Sequence, residues 1–509
     1  MAGDIDADAL AELMAQRPRS LALFDIREAG EAEQGHLPYA TFLPRRLIEL
    51  RIGELVPSIA QDIVVYDEGA GDGRAALAAA TLAEFGYRAV RILTGGLGAW
   101  RATGRPVATG VNVPSKRFGE EVLEHDGVRS IDADRLAQMQ AAGETFEQWD
   151  VRTPAEFGRA TLPGSSNVPG VEIAGRAAEA AREGRLVVVH CAGRTRSIIA
   201  ARTLALLGVE RVVALENGTM GWRLSGRTLV PGDRVEVSSG DGAGADVLAD
   251  VSGVLRLTPA EVDRRVSRRA SEPVILVDVR SEEAYLAGHV TSSCSRPGGQ
   301  LIQCTDEVLA VEAVPVILID DGNGRAAMAA YWLRRMRFPE VALLDGGIPA
   351  WRAAGLPLAS GPAAVPAWLA KLRDTIPSIA PSRLDALSHT VLDVGTSRDF
   401  KRGHVPGARW LPRGWLEARL GELSQEIVVT AADEEQAILA TATLLRLGHR
   451  AKWLAGGNAG WVAQGGKLES TENLPLDLPQ DVVDPPYLKG EAGMRAYIAW
   501  EIALTESGA

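Results

Sequence analysis

One short phrase occurs four times along this chain, and that recurrence limits what the chain can fold into. LFDIREAGEA (23–32) has counterparts in QWDVRTPAEF (148–157), LVDVRSEEAY (276–285) and VLDVGTSRDF (391–400), aligned on Asp25, Asp150, Asp278 and Asp393. Each phrase runs into a Gly/Pro turn: GHLPYATFLP (35–44), ATLPGSSNVP (160–169), GHVTSSCSRP (288–297) and GHVPGARWLP (403–412). Four short apolar runs follow, IVVYD (63–67), LVVVHC (186–191), VILIDD (316–321) and IVVTA (427–431). Short, β-branched and bounded by turns, they read as buried parallel strands. An alanine- and leucine-rich stretch of helical length succeeds each, as in SIIAARTLALLG (197–208). A last signature closes the unit: LTGGLGAW (93–100), LENGTMGW (215–222), LLDGGIPAW (343–351) and LAGGNAGW (454–461).

Four marks in a fixed order define a unit of about a hundred residues, long enough to hold its own core and too long for a solenoid repeat. Alternating strands and helices imply an α/β sheet covered on both faces. The 509 residues, at ~150 per domain, agree with three or four domains. Expected spans are 1–110, 125–230, 250–360 and 376–470, followed by a C-terminal extension, 471–509. The joins read as linkers. Residues 232–246, rich in Gly, Ser and Asp, form the clearest boundary; 105–117 and 358–378 contain proline. Because the richest linker divides the chain in the middle, repeat 1 is expected to pair with repeat 2, and repeat 3 with repeat 4. A proline-rich stretch (474–486) precedes an expected terminal helix over 490–504, packed on one of the domains.

Composition excludes several classes. The net charge is −12, from 54 Lys+Arg against 66 Asp+Glu, which disfavours non-specific nucleic-acid binding. No apolar stretch approaches the ~20 residues of a membrane span, and MAGDIDADALAELMAQ does not read as a signal peptide. Three cysteines cannot make a disulfide scaffold and fit a reducing, cytoplasmic setting. The cysteines and seven histidines show no CxxC or HxxxH spacing, so neither metal nor cofactor is expected.

The combination D-V-R-x-x-x-E-[FY], G-H-[LIV]-P-G-A, an apolar strand ending at a cysteine loop, and G-G-x-x-x-W resembles the rhodanese (sulfurtransferase) domain family. The resemblance covers nearly the whole chain as four tandem copies. It implies a parallel five-stranded sheet flanked by helices in each copy, with the active loop between a central strand and its following helix.

Repeat 2 alone has cysteine at the strand end, in VVVHCAGRTRSIIAA; Asp67, Asp320 and Ala431 stand at the aligned positions. Residues 191–196 carry Arg194 and Arg196 and no acid, whereas DEGAGDGR (67–74), DDGNGR (320–325) and AADEEQ (431–436) are acid-rich. Repeats 1, 3 and 4 are therefore expected to be inactive and Cys191 to be the nucleophile. The amides of Ala192, Gly193, Arg194, Thr195, Arg196 and Ser197 can curl around its sulfur, and the start of a helix favours negative charge there. A Cys191 thiolate would attack the outer sulfur of a small anionic donor and pass it, through a persulfide, to an acceptor. Cyanide is the acceptor that the family resemblance suggests, and a thiol is another.

Arg194 and Arg196 are the expected anion binders, since guanidinium forks match oxyanions; two arginines favour thiosulfate over 3-mercaptopyruvate. Arg196 matches the family's loop-ending arginine and gives C-x4-R, one residue tighter than the C-x5-R of related phosphatases. Asp150, Arg152 and Glu156 recur in copies without a thiol and read as structural, with a supporting role open to Asp150 and Arg152. So do His36, His289, His404 and Trp222. His190 is expected to point away from Cys191 by strand alternation. Asn217 and Thr219 belong to a loop that the family places near the pocket. Cys294 and Cys304 read as ordinary free thiols. A second reading makes the chain a sulfur-relay scaffold whose inactive repeats hold a protein acceptor. The sequence leaves oligomeric state open.

Overall fold

A computed structural model of the chain describes residues 3–16, 20–234, 243–384, 389–420, 426–474, 476, 478 and 480–506. They form four five-stranded sheets, one per repeat, in which every strand pairing is parallel. Within each sheet the strands lie in the order first, fifth, fourth, second, third. In repeat 2 these strands are Ser130–Ile131, Val212–Leu215, Leu186–His190, Phe146–Asp150 and Ser166–Asn167. The apolar runs are indeed the central strands, and helices cover both faces. Among the described residues no helix is long and apolar enough to cross a membrane.

The recurring residues explain why the same unit forms four times. The phrase aspartate ends the second strand, and its Oδ1 accepts the amide two residues on, at 3.1 Å (Arg27), 3.0 Å (Arg152), 3.1 Å (Arg280) and 2.9 Å (Gly395). Where an arginine follows, it clamps the aspartate and reaches the carbonyl that opens the next turn: Gly35, Ala160 and Gly288, at 2.6, 2.5 and 2.6 Å. His36, His289 and His404 each hydrogen-bond through Nδ1 to the carbonyl four residues back, at 3.0, 3.0 and 2.8 Å. Trp100, Trp222, Trp351 and Trp461 donate Nε1–H to the carbonyls of Pro106, Thr228, Pro357 and Lys467 at 2.9–3.1 Å, tying the last helix to its exit.

The glycine before that helix has a steric cause. A Cβ on Gly96, Gly218, Gly347 or Gly457 would lie 2.4, 2.1, 2.3 or 2.6 Å from the carbonyl oxygen of Asp67, Cys191, Asp320 or Ala431, and each has positive φ. Only glycine fits this approach. The closing turn is thus pressed against the residue at the cysteine position in all four copies.

Three helices fall in segments expected to be linkers or to flank them: Val113–His125, Ala243–Val251 and Ala367–Thr375. Each packs on the helix after the fourth strand of its own repeat. Residues 235–242 of the expected Gly/Ser/Asp linker lie outside the described residues.

The expected pairing of neighbours is overturned. One compact unit comprises Met1–Ile52, Ile59–Gly110 and Ala364–Val483, so repeat 1 pairs with repeat 4. The other comprises Gly53–Ser58, Val111–Ala363 and Asp484–Ala509, joining repeats 2 and 3 with the terminal segment. In the first unit, buried Arg413 clamps Glu49 through Nη2 at 2.5 Å, Arg45 bonds Glu417 at 3.0 Å, and the Arg74 guanidinium lies 3.7 Å from the centre of the Trp415 ring. In the second, Trp332 Nε1–H donates to Thr203 Oγ1 at 2.9 Å and Arg335 pairs with Asp126. Gly170 and Gly299 meet so closely that a Cβ on Gly170 would lie 2.6 Å from Gly299 Cα. Linker composition reports chain flexibility, whereas pairing is decided by these faces, and only long-range contact reveals them.

Candidate active site

Cys191 follows the central strand Leu186–His190 directly and is 2% exposed. Its carbonyl accepts Thr219 N–H at 2.8 Å, and that of Ala192 accepts Met220 N–H at 3.0 Å, so the Asn217–Gly218 turn braces the loop from one side. Asn217 itself takes a left-handed conformation, φ 60°, as the cap of the following helix. On the other side begins the helix Thr195–Leu206. Ser197 Oγ–H donates to the Arg194 carbonyl at 2.9 Å and lies 3.5 Å from Cys191 Sγ; the Arg194 carbonyl is 3.7 Å from that sulfur. The thiol therefore sits at the mouth of a twelve-residue helix, inside a turn of backbone.

Both arginines are engaged by the chain's own carboxylates. Arg194 forks onto Glu120, with both bonds at 2.7 Å, and reaches Asn217 Oδ1 at 3.1 Å. Arg196 forks onto Glu156 at 2.7 and 2.9 Å. Glu156 also closes a capping box with Thr153 at the start of the helix Pro154–Arg159. An equivalent fork holds Arg74 to Glu31 in repeat 1, at 2.7 and 2.8 Å, where no thiol is present. The loop that reads as basic in the local sequence is thus charge-compensated in three dimensions. Cys191 and Arg196 lie close enough to interact electrostatically.

The Arg196–Glu156 pair carries a testable pH dependence. Burial alone would raise the Glu156 carboxyl, but Arg196 overrides it and holds the group at about 2. A carboxylate depressed in the fold adds stability above its unfolded pKa, and that stability is lost as pH falls from about 4.5 towards about 2. In Arg196→Ala the Glu156 carboxyl is expected to titrate near the ordinary glutamate range, with the acid limb of the urea-unfolding profile flattened accordingly. An unaltered profile would reject the assignment.

The remaining expected residues divide cleanly. Asp150 is fully buried, held by Arg152, by Thr161 Oγ1 at 2.7 Å and by its own turn, which orders the sheet. His190 is fully buried on the far side of the strand, with Nε2 2.7 Å from Ser165 Oγ, and burial lowers its pKa to about 4, so the ring is neutral. Burial pushes the Cys294 thiol up to about 12 and raises Cys304 as well. All three cysteines are free. Cys304 nonetheless lies within reach of the charges of Lys116 and Arg196, because residues 305–307 of repeat 3 contact the start of the helix Val113–His125: Ser115 and Thr305 hydroxyls are 3.1 Å apart. Among the described residues no three His, Cys, Asp or Glu side chains group as metal ligands.

Two loop partners went unread in the sequence. Glu120 lies on the helix Val113–His125, between the expected join 105–117 and the expected start of the second domain at 125, and Gly119 beside it lets that helix approach Thr195, where a Cβ would stand 2.8 Å from Thr195 Cγ2. Glu501 comes from the terminal helix Gly490–Ile502, which packs on repeat 2. Its Oε1 accepts the Thr195 hydroxyl at 2.6 Å and the Thr195 amide at 3.3 Å.

The loops without a thiol solve the same backbone problem internally. The Asp67 carboxylate accepts the amides of Gly69 and Ala75, both at 2.9 Å. That of Asp320 accepts Gly322 and Ala326 at 2.7 and 2.8 Å. At Ala431 the position has no polar side chain, and Asp433 caps the next helix through Glu435 N–H at 2.9 Å.

The model of the rhodanese-like domain matches residues 6–103, 132–225, 258–354 and 377–464, and the chain belongs to that family. It is similar along nearly its full length to the crystal structure of a thiosulfate sulfurtransferase from Pseudomonas aeruginosa, with 34% identity and a TM-score of 0.89 over 99% of this chain and 97% of that one. A sulfurtransferase of Allochromatium vinosum is 35% identical over 107 residues, 21% of this chain and 95% of its own length. A thiosulfate sulfurtransferase of Azotobacter vinelandii is 28% identical over 246 residues, 40% of this chain and 88% of its own.

Proposed function

We propose that the chain is a sulfurtransferase with one working loop, in repeat 2, and three catalytically silent repeats. The observation that carries this reading is Cys191, set at the end of a central strand and the mouth of the helix Thr195–Leu206, with Arg196 behind it. The names of the similar proteins support it. The Cys191 thiolate attacks the outer sulfur of a small anionic donor, for which thiosulfate is our choice. The donor's S–S bond breaks, sulfite leaves with the bonding pair, and a Cys191 persulfide remains. Loop amides and the helix start stabilise the charge. Cyanide or a thiolate then attacks the outer sulfur, forms thiocyanate or a new persulfide, and returns the Cys191 thiolate.

Asp67 and Asp320 support silence in repeats 1 and 3, because their carboxylates satisfy the amides that a sulfur anion would use. Arg194 and Arg196 act in this scheme as fixed charges that shape the loop, with donor contact falling to the backbone of residues 192–197.

Incubation with thiosulfate followed by peptide mass mapping tests the reading. The expected result is a gain of one sulfur atom on Cys191, removed by cyanide. Sulfur found on Cys294 or Cys304 instead, or on no cysteine, would overturn it. A Cys191 persulfide that resists cyanide would assign the site to relay towards a protein acceptor.

A further inference from the structure

The terminal helix brings a carboxylate to the loop whose strand end carries the thiol in place of one. Glu501 is 1% exposed. Its Oε1 is held by the neutral donors of Thr195, at the first turn of the helix behind Cys191. The Tyr497 side chain is a hydrogen-bond partner of the carboxylate, whose Oε2 is buried. That oxygen faces the catalytic loop: a Cβ on Gly193 would stand 3.4 Å from it, 3.4 Å from the Tyr497 ring and 3.0 Å from Met220 Cε. Tyr497 is raised well above the ordinary phenol range by burial and by the charge of Glu501. The neighbouring charges are already matched, Arg194 with Glu120 and Arg196 with Glu156, and Lys116 lies 4.9 and 5.1 Å from the Trp500 and Tyr497 rings.

The comparison among repeats gives this carboxylate a meaning. In repeats 1 and 3 a carboxylate from the strand end sits on the loop amides and on the start of the following helix. In repeat 2 the strand end is a thiol, and Glu501 supplies the carboxylate from 306 residues away. An anion held at a helix N-terminus by a backbone amide and a hydroxyl is bound as a small oxyanion would be. Resting on the sulfur-transfer reading of Cys191, we propose that Glu501 is the donor-selecting residue of this site. Its carboxylate occupies the donor's anion seat, and an anionic donor binds by displacing it.

The test uses the full chain and the variants Glu501→Gln and Glu501→Asp. Each is alkylated in parallel with anionic iodoacetate and neutral iodoacetamide, and the rate at Cys191 is followed by peptide mass mapping, with Cys294 and Cys304 as slow internal references. Glu501→Gln, which keeps the shape and removes the charge, is expected to raise the iodoacetate-to-iodoacetamide ratio at Cys191 by about fivefold or more. Glu501→Asp, which keeps the charge, should stay within about twofold of the wild type. The KM for thiosulfate should fall in Glu501→Gln while kcat changes little. An unchanged ratio in Glu501→Gln overturns the proposal. So does an equal rise in Glu501→Asp, which would trace the effect to packing. Because alkylation needs no turnover, the two readings fail separately. Persulfide formation with an unchanged ratio removes the role of Glu501 alone; a shifted ratio in a protein that forms no persulfide removes sulfur transfer and leaves only a charge that screens anions.

Discussion

Cys191→Ser is expected to abolish thiosulfate:cyanide sulfur transfer, by about 10⁴-fold or more in kcat. A serine hydroxyl keeps the shape of the loop but is a poor nucleophile, and it cannot store sulfur as a persulfide. The 2% exposure of Cys191 and its 3.5 Å contact with Ser197 Oγ leave room for an oxygen, so the fold should persist. Circular dichroism should therefore be unchanged while steady-state turnover disappears. Since Cys294 and Cys304 are half-buried thiols with raised pKa values, they offer no substitute nucleophile. Residual activity in Cys191→Ser above a tenth of the wild-type rate would sink the mechanism.

The second large effect concerns the pairing of repeats 1 and 4. Arg413 and Glu49 are 3% and 8% exposed, and Arg45 adds a second cation to Glu49 at 3.1 Å. Removing one partner of a buried pair strands the other, at a cost of about 3–5 kcal/mol. Glu49→Ala is therefore expected to destabilise repeats 1 and 4 by that amount. Hydrogen exchange should quicken in their strands and leave those of repeats 2 and 3 unchanged. The arginines hold the Glu49 carboxyl at about 2 against the effect of burial. Its contribution is complete above about pH 4.5 and is lost as pH falls towards about 2. Uniform exchange rates in Glu49→Ala would reject the pairing as a stability determinant.

The fold was legible because each repeat is built from local devices. An aspartate that caps its own turn, an arginine that clamps it, a glycine pressed on a carbonyl and a tryptophan bonded six residues on all leave marks within a short window. The place of Cys191 at a central strand end was legible for the same reason. What could not be read there was decided over long separations. Glu120 meets Arg194 across 74 residues, Glu501 meets Thr195 across 306, and Glu417 meets Arg45 across 372. No local window holds both members of such a pair. Hence the loop read as basic while its partners neutralise it, and the linker misdirected the pairing of repeats. The helix Val113–His125 is not legible because its apolar face is short and its Pro114 and Gly119 suggest a join.

The nesting of repeat 1 with repeat 4 around the sequence of repeats 2 and 3 also sets a clock. Translation is vectorial, at about 5–20 residues per second. Repeats 2 and 3 are neighbours in sequence and can dock soon after the second of them emerges. Repeat 1 is made first, yet it must wait for some 350 further residues, about 20–70 seconds, before repeat 4 exists. Through that interval Arg45, Glu49 and Arg74 meet water where the finished protein gives them Glu417, Arg413 and Trp415. A face of charged side chains is suited to that delay, because it stays soluble while alone. The helix bearing Glu501 follows repeat 4 in the chain, so the loop around Cys191 acquires this contact only after all four repeats have been made.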